Sequence, residues 1–218
     1  MGPGDLELAL ERAPVLVAAD GGAGAALKAG HSPVAVIGDF DSLTPEMRAQ
    51  IPQSRLFEIH EQASTDFDKA LSSISSPLVL AIGFLGARVD HQLAALNTLA
   101  HYADRPCILI GQHEVIFHVP VRLQLELASG DVVSLFPMAS VQGCSSGLEW
   151  PIDGLAMEPG GRIGTSNRAL GPVRLDMDGL GLLMIAPRRA LDAVMRAIAP
   201  VCAPGAQSRS GLPISGAD

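Results

Sequence analysis

Acidic side chains follow three short apolar runs of the sequence, at the points where those runs end. Asp20 comes directly after the first run, and Asp39 and Asp41 come directly after the second. Asp66 follows the third run. Crowded carboxylates are usually neutralised by a hard divalent cation with oxygen ligands, and Mg²⁺ bridging phosphates is the commonest version of such a site. The pattern therefore predicts a magnesium and phosphate site.

Two cationic residues accompany these carboxylates. Lys69 lies three residues after Asp66, and Arg88 precedes Asp90 in the loop after a fourth apolar run. Both cations would meet phosphate charge, Arg88 in bidentate fashion. Glycines in the same loops would let the backbone approach a polyphosphate closely.

Each of these residues also has an ordinary structural explanation. A lone Asp-x-Asp is more often a turn or a helix cap than a metal site. Asp66 alone is equally well explained as a helix cap, and Lys69 as a solvated helix residue. For His91, a partly buried histidine is the favoured explanation. The shared position of all these residues after strands favours the functional hypothesis.

The elements that must position these residues alternate between strand and helix. Strands are predicted over residues 15–19, 34–38, 55–59, 78–82 and 107–110, and helices over 22–29, 45–50, 66–74 and 91–102. Thr44 and Thr65 are predicted helix N-caps. This order predicts a Rossmann-like, doubly wound and mostly parallel α/β sheet. Ligands bind such a sheet at the carboxyl ends of its strands, where the acidic loops lie.

After residue 112 the pattern changes to short strands separated by Gly, Pro and Ser. Strands are predicted over 115–119, 122–127, 132–136, 148–150 and 182–185, a loop over 164–167, and a helix over 188–198. This predicts an antiparallel β-sandwich or barrel. We expect an α/β domain over residues 1–112, a β-sandwich domain over 113–187, and a C-terminal helix with a flexible tail over 188–218.

Composition narrows the class of protein. The 218 residues are 48% hydrophobic and 17% charged, which excludes a disordered chain. The net charge of −8 argues against a protein that mainly binds nucleic acid or an anionic membrane. Three scattered cysteines predict neither a disulfide framework nor a zinc site. There is no P-loop, dinucleotide fingerprint or nucleophile elbow. With neither a signal peptide nor a long apolar stretch, a cytoplasmic protein is expected.

Trp150 is the single tryptophan of the chain. It is equally well explained as a core or edge-strand residue and as a residue that stacks on a planar ligand ring. Ser166 and Asn167 offer hydroxyl and amide groups in a segment framed by Gly164, and a structural turn explains them equally well.

Five motifs in order resemble the thiamine pyrophosphokinase family. They are Asp20-Gly21-Gly22-Ala23, Gly38-Asp39-Phe40-Asp41-Ser42, Thr65-Asp66-Phe67-Asp68-Lys69-Ala70-Leu71, Gly86-Ala87-Arg88-Val89-Asp90-His91 and Gly164-Thr165-Ser166-Asn167. The resemblance runs from about residue 15 to residue 185. It implies a homodimer that makes thiamine diphosphate and AMP from thiamine and ATP, with the thiamine site shared between protomers.

The resemblance also implies roles for individual residues. Three are expected to hold Mg²⁺ and to be catalytic together with Lys69 and Arg88: Asp39, Asp41 and Asp66. Five are expected at the nucleotide: Asp20, Gly21, Ser42, Asp90 and His91. Four are expected at thiamine: Gln62, Trp150, Ser166 and Asn167.

The chain departs from the family pattern in three places. Ala87 stands where a second glycine is usual, and Glu61 stands where aspartate is common. The family normally has a strand and a glycine-containing loop before its first helix, whereas here Met1-Gly2-Pro3-Gly4 leads directly into a helix predicted over 6–12. We expect a shortened start that lacks a strand and part of the nucleotide pocket.

The expected reaction is in-line attack of the thiamine hydroxyl on the β-phosphorus of ATP, with AMP leaving. Lys69 and Arg88 would stabilise the charge that develops on the transferred and leaving groups. Two alternatives stay open at this point: another Mg²⁺-dependent phosphotransferase, and a non-catalytic regulator that binds nucleotide or thiamine. Partners are expected to be small molecules and a second protomer, with neither nucleic acid nor membrane.

Overall fold

Two β-sheets carry the fold in the computed structural model, which describes residues 1–86 and 88–199. The strands are β1 (Val17–Ala19), β2 (Ala35–Gly38), β3 (Leu56–Glu58), β4 (Val79–Ile82), β5 (Cys107–Ile110), β6 (Glu114–His118), β7 (Arg122–Leu125), β8 (Val132–Pro137), β9 (Gly143–Leu148), β10 (Gly164–Met177) and β11 (Leu182–Pro187). The helices are α1 (Asp5–Leu10), α2 (Gly22–Lys28), α3 (Pro45–Arg48), α4 (Asp66–Ser73), α5 (Val89–His101) and α6 (Leu191–Ile198). Short 3₁₀ turns lie at Gln53–Arg55 and Arg188–Ala190.

The smaller sheet is parallel, in the order β1-β2-β3. Its apolar residues pack with α2 and the loop after β2 into a small core that contains Ala18, Ala23, Val36, Phe40 and Ile51. This core fixes the carboxyl ends of β1 and β2, which the acidic residues directly follow.

The larger sheet is mixed and curled, in the order β4-β5-β6-β11-β8-β10-β7, with β9 paired to β10. Strands β4 and β5 are parallel, and every further pairing in this sheet is antiparallel within the described residues. Alternating buried residues such as Leu123, Leu125, Val173 and Leu175 form its core. The fold is thus a mixed α/β architecture.

The expected single parallel sheet is divided in the structure. All five predicted strands of the first half form and pair in parallel, but β1–β3 and β4–β5 belong to different sheets. A short turn closed by the bond from Gly111 N–H to Glu114 O turns the chain from β5 into antiparallel β6. The larger sheet therefore contains strands from both sides of residue 112.

Strand β10 is the largest error of the sequence prediction. Residues 164–167 were expected to form a loop but begin this strand, and Trp150, expected in a strand, lies just after β9. The sequence pattern did not predict β10 because it contains Gly171-Pro172, and these residue types usually end a strand. The strand passes them with register shifts and pairs first with β8, then with β7 and β9. Gly147 makes room, since a Cβ there would lie 2.0 Å from Pro172 O.

Both predicted N-caps are confirmed. The Thr44 hydroxyl accepts from Met47 N–H at the start of α3, and the Thr65 hydroxyl accepts from Asp68 N–H at the start of α4. Across residues 1–86 and 88–199, no helix combines the length and the apolar character that crossing a membrane requires. The expectations for Ala87 and for the tail beyond residue 199 lie outside the described residues.

Candidate active site

Three carboxyl groups meet at the carboxyl ends of β1 and β2. Asp20 follows β1, and Asp39 and Asp41 follow β2. Each offers an oxygen within 4.8 Å of an oxygen of the other two. Asp20 is buried, Asp39 is half-buried and Asp41 is exposed, so the acidic group opens from the protein interior to solvent.

Asp20 is the unusual member of this acidic group. It is only 3% exposed, and its Oδ1 atom has no hydrogen-bond partner among the described residues. Its backbone has a positive φ of 38°. Gly38 lies directly across from it, because a Cβ at residue 38 would lie 2.8 Å from the Asp20 Cβ. A buried carboxyl oxygen without a partner, beside two further carboxyl groups, suits a hard cation with oxygen ligands.

A tight turn brings Asp39 and Asp41 to the same side. Phe40 between them has a positive φ of 64°, and its side chain is buried in the small core. Asp39 Oδ1 accepts the Asp41 N–H at 3.3 Å, and the Ser42 hydroxyl donates to Asp41 Oδ1 at 2.8 Å. Burial of Phe40 thus turns the two carboxyl groups outward together. Gly21 lies against this turn, since a Cβ there would lie 3.1 Å from the Ser42 Cβ.

Helix α4 supplies a buried cation to the acidic group. The side chain of Lys69 is 3% exposed, and its Nζ lies 3.7 Å from Asp39 Oδ2 and 3.8 Å from Asp66 Oδ1. Asp66 lies beside the group of three rather than within it. Its pKa is raised by burial, then by the charge of Asp20 and, more weakly, of Asp39 and Asp41, while Lys69 opposes the shift.

Gln62 lies at this acidic group, whereas the sequence resemblance implies contact with thiamine. Its Nε2 donates to Asp39 Oδ2 at 3.1 Å. This bond, followed by the bond from Asp41 N–H, lowers the pKa of Asp39. Glu61 accepts hydrogen bonds from Ala63 N–H and the Ser64 hydroxyl, which closes the loop that carries Gln62.

Two residues that sequence reasoning missed hold α4 in place. The Tyr102 hydroxyl donates to Asp68 Oδ1 at 3.0 Å. Arg105 Nη1 donates to Leu71 O and Ser72 O at 2.9 Å and to Ile74 O at 3.2 Å, at the carboxyl end of the helix. Both partners follow α5, more than 30 residues away, and no sequence motif links them to α4.

Arg88, Asp90 and His91 lie exposed at the start of α5. Arg88 binds Asp90 in bidentate fashion, with Nε–Oδ1 and Nη2–Oδ2 distances of 3.1 and 2.5 Å, and His91 N–H donates to Asp90 Oδ1. This pairing raises the pKa of Arg88 and lowers that of Asp90. The guanidinium therefore faces Asp90 rather than the group formed by Asp20, Asp39 and Asp41.

Two of the three residues expected at thiamine in the second half, Trp150 and Asn167, border a cavity of about 190 Å³. The residues that line it are Trp150, Pro151, Ile152, Leu155, Met157, Arg162, Ile163, Gly164, Thr165 and Asn167. Trp150 is 54% exposed, whereas Asn167 is 5% exposed. Ser166 adjoins this set with a positive φ of 58°, and its N–H donates to Ser134 Oγ. A larger cavity of about 490 Å³ lies beside β7, β9 and β10 and contains none of the predicted site residues.

Two family models match the chain in succession. Residues 6–110 match "Thiamin pyrophosphokinase, catalytic domain", and residues 116–178 match "Thiamin pyrophosphokinase, vitamin B1 binding domain". Together the two models cover well over half of the chain.

Curated relatives and solved structures agree with these matches. The chain is similar to thiamine pyrophosphokinase 1 of rice (30% identity; 63% of this chain and 59% of the relative) and to thiamine pyrophosphokinase 3 of rice (28% identity; 72% of each). The match thus spans less than two thirds of the first relative's length. The fold of this chain is similar to that of thiamin pyrophosphokinase from Geobacillus thermodenitrificans (TM-score 0.66, 24% identity; 79% of this chain and 85% of that one). The Candida albicans enzyme gives a TM-score of 0.67 at 16% identity, over 79% and 82% of the two chains.

Proposed function

Because the chain belongs to the thiamin pyrophosphokinase family, we propose that it transfers pyrophosphate from ATP to the hydroxyl of thiamine. The products are thiamine diphosphate and AMP. The observation that carries this proposal is the convergence of Asp20, Asp39 and Asp41 beside the buried cation Lys69. Acidic and cationic groups brought together at strand ends suit binding of a metal-bound polyphosphate.

The residues present fit a magnesium ion. Asp39, Asp41 and Asp66 are the ligands proposed from the sequence, and Asp20 joins them because its buried Oδ1 lacks a partner among the described residues. Asp66 stays a proposed member of the site, since its carboxyl group interacts with the charge of the other three. When bound, the ion would polarise phosphoryl oxygens and neutralise their charge.

Side chains of the protein would orient the reacting groups. Lys69, held by Asp39 and Asp66, would place one positive charge at a fixed point beside the phosphates. Arg88 would meet the leaving AMP by sharing its donors between that phosphate and Asp90. The thiamine hydroxyl oxygen bonds to the β-phosphorus, the bond from that phosphorus to the AMP oxygen breaks, and the hydroxyl proton passes to a carboxylate of the acidic group.

The proposed thiamine site combines the Trp150 cavity with the acidic group. The cavity lies next to β9 and β10, whereas the acidic group follows β1 and β2. We propose that the chain forms a homodimer in which the two halves of the site come from different protomers, as the family resemblance implies. Gln62 and Ser166 are proposed contacts at its two sides.

The finer description of the fold is part of this proposal. We propose a Rossmann-like unit over 1–112 and a sandwich unit over 113–187. The two family models, which divide between residues 110 and 116, support the boundary, whereas the larger sheet takes strands from both sides of it. In the proposed third segment, 188–218, helix α6 packs on the core of the larger sheet through Leu191 and Val194. Cytoplasmic location stays a prediction from the sequence.

A product assay tests the proposal. The purified chain is incubated with ATP, Mg²⁺ and thiamine, and AMP and thiamine diphosphate are quantified; equal amounts of both are expected. Asp41→Asn is expected to lower kcat at least tenfold, a loss of about 1.4 kcal/mol or more in transition-state stabilisation. Transfer to another acceptor would indicate a different phosphotransferase, and ligand binding without AMP would indicate a regulator.

A further inference from the structure

The side chain of Asn167 is engaged almost completely with the backbone at Trp150. Its Oδ1 accepts from Trp150 N–H at 3.2 Å and from Arg168 N–H at 2.7 Å. Its Nδ2 donates to Trp150 O at 2.7 Å. The amide orientation is fixed by these partners, because the reverse orientation would place an NH₂ group against two N–H donors.

These hydrogen bonds take the place of the backbone pairing that would otherwise continue from Glu149 to Trp150. Glu149 N–H donates to Arg168 O at 2.8 Å, as a neighbouring strand would. Two residues before Arg168, Ser166 adopts a left-handed conformation, and the register of β10 against β8 shifts between Gly164 and Asn167. The Asn167 carboxamide, which carries an acceptor and a donor as a peptide group does, then binds both the N–H and the C=O of Trp150.

Little of this amide is left for a ligand. Both acceptor sites of Oδ1 and one N–H of Nδ2 are used within the chain, so one N–H remains. Asn167 is also 5% exposed, whereas Trp150, which borders the same cavity, is 54% exposed. The two residues thus have different roles at one cavity: the indole of Trp150 is exposed to it, whereas the amide of Asn167 is buried.

We infer that Asn167 is a positioning residue that fixes the backbone of Trp150 and thereby presents the indole to a planar ligand ring, rather than serving chiefly as a ligand contact. Fixing Trp150 before binding lowers the ordering cost of stacking. The part of this inference that concerns thiamine rests on the proposed function. The part that concerns Trp150 in the free protein does not.

The single tryptophan makes the free protein its own probe. Emission maximum, anisotropy and acrylamide quenching of Trp150 are measured without ligand in the wild type, Asn167→Ala and Asn167→Asp. Asn167→Ala is expected to give red-shifted, less anisotropic and more readily quenched emission. Asn167→Asp should be intermediate, because a carboxylate keeps the two acceptor bonds and loses the donor to Trp150 O.

Thr165→Ala is the matched control. Thr165 lines the same cavity and makes no hydrogen bond to Trp150 within the described residues, so its variant should emit like the wild type. Wild-type anisotropy and quenching in Asn167→Ala would overturn the inference. If circular dichroism shows that Asn167→Ala does not fold, Asn167→Asp decides, and wild-type behaviour of that variant has the same meaning.

A double-mutant cycle on the thiamine KM separates positioning from direct contact. Asn167→Ala should raise the KM about fivefold in the wild-type background and leave it unchanged in a Trp150→Ala background. Equal effects in both backgrounds would show a direct contact and overturn the inference. If the wild type makes no thiamine diphosphate, the proposed function fails, while the fluorescence result still decides the role of Asn167.

Discussion

The acidic group and the Trp150 cavity differ in whether their buried polar atoms find partners within the described residues. At the acidic group, Asp20 keeps a buried oxygen without a partner, and burial and neighbouring carboxylates raise the pKa of Asp66. At the cavity, the buried amide of Asn167 makes three hydrogen bonds within the chain. The first region therefore suits a metal ion in addition to Lys69, whereas in the second the polar groups of Asn167 are already bonded within the chain.

The two regions share one feature, which is local backbone strain. In the part of the chain that the structure describes, the non-glycine residues with positive φ are Asp20, Phe40 and Ser166. Two adjoin the acidic group and one adjoins the cavity. Such conformations cost about 1–3 kcal/mol each and persist where the surroundings enforce them, so their position supports a functional role for both regions.

Replacing the buried cation should have the largest effect. Lys69→Met is expected to lower kcat about 10²–10³-fold, because it removes a fixed positive charge beside the phosphates. The measurement is the rate of AMP formation at saturating ATP and thiamine. Lys28, the other lysine of the chain, is exposed at the end of α2, and Lys28→Met should keep wild-type kcat. Equal kcat values in both variants would remove Lys69 from the mechanism.

The second largest effect is expected from removing the contacts of Arg105 with the carboxyl end of α4, which should destabilise the fold around the acidic group. Arg105→Met removes a guanidinium that binds three carbonyl oxygens, and we expect a loss of about 2 kcal/mol in the free energy of unfolding. Urea denaturation measures it. Arg122→Met is the control, since Arg122 is 88% exposed and its ion pair with Asp176 should contribute little. A loss no larger than in the control would show that Arg105 does not stabilise α4.

A substitution at the Trp150 cavity should affect thiamine binding alone. Trp150→Ala is expected to raise the thiamine KM about tenfold while kcat and the melting temperature change little, because the indole is exposed and its stacking partner is the substrate. Steady-state kinetics and thermal unfolding check both parts. A collapse in melting temperature would instead make Trp150 a residue of the fold.

The smallest effect concerns pH. The pKa of Asp66 is raised above its ordinary value of 3.8, so its ionisation destabilises the folded state above the raised pKa, and stability is regained as pH falls toward 3.8. The pKa of Asp39 is lowered, so its contribution is present above 3.8 and is lost as pH falls through the lowered pKa. With a chelator present, Asp66→Asn should be more stable than the wild type at neutral pH, and Asp39→Asn less stable.

Thermal unfolding between neutral pH and about pH 4 measures these differences. The difference for Asp66→Asn should shrink as the pH falls toward 3.8, whereas the difference for Asp39→Asn should persist over this range, because it is lost only below 3.8. Differences of the same sign in the two variants would contradict the opposite pKa shifts of Asp66 and Asp39.

The sequence predicted those parts of the fold and site that depend on local chemistry. Apolar runs mark the strands β1 to β5, Thr65 marks the start of α4, and the carboxylates after β1 and β2 do converge. These features follow from neighbouring residues and from the common edge of parallel strands.

The rest depends on contacts between distant segments. Burial of Lys69, the bond from Gln62 to Asp39 and the amide of Asn167 behind Trp150 each join residues whose packing no local pattern shows. Strand β10 continues through Gly171-Pro172 because β7, β8 and β9 pair with it on either side of that interruption. The division into two sheets is likewise a matter of tertiary pairing.

The most direct test asks whether magnesium completes the acidic group. The melting temperatures of the wild type and Asp20→Asn are compared with ATP present, once with EDTA and once with Mg²⁺; the exposed Asp104 provides the control Asp104→Asn. Because a ligand that binds the folded state stabilises it by about 2.7 kcal/mol at a hundred times its Kd, Mg²⁺ should raise the melting temperature of the wild type and the control by several degrees and that of Asp20→Asn far less. An equal rise in all three proteins would contradict a metal site built on Asp20, Asp39 and Asp41.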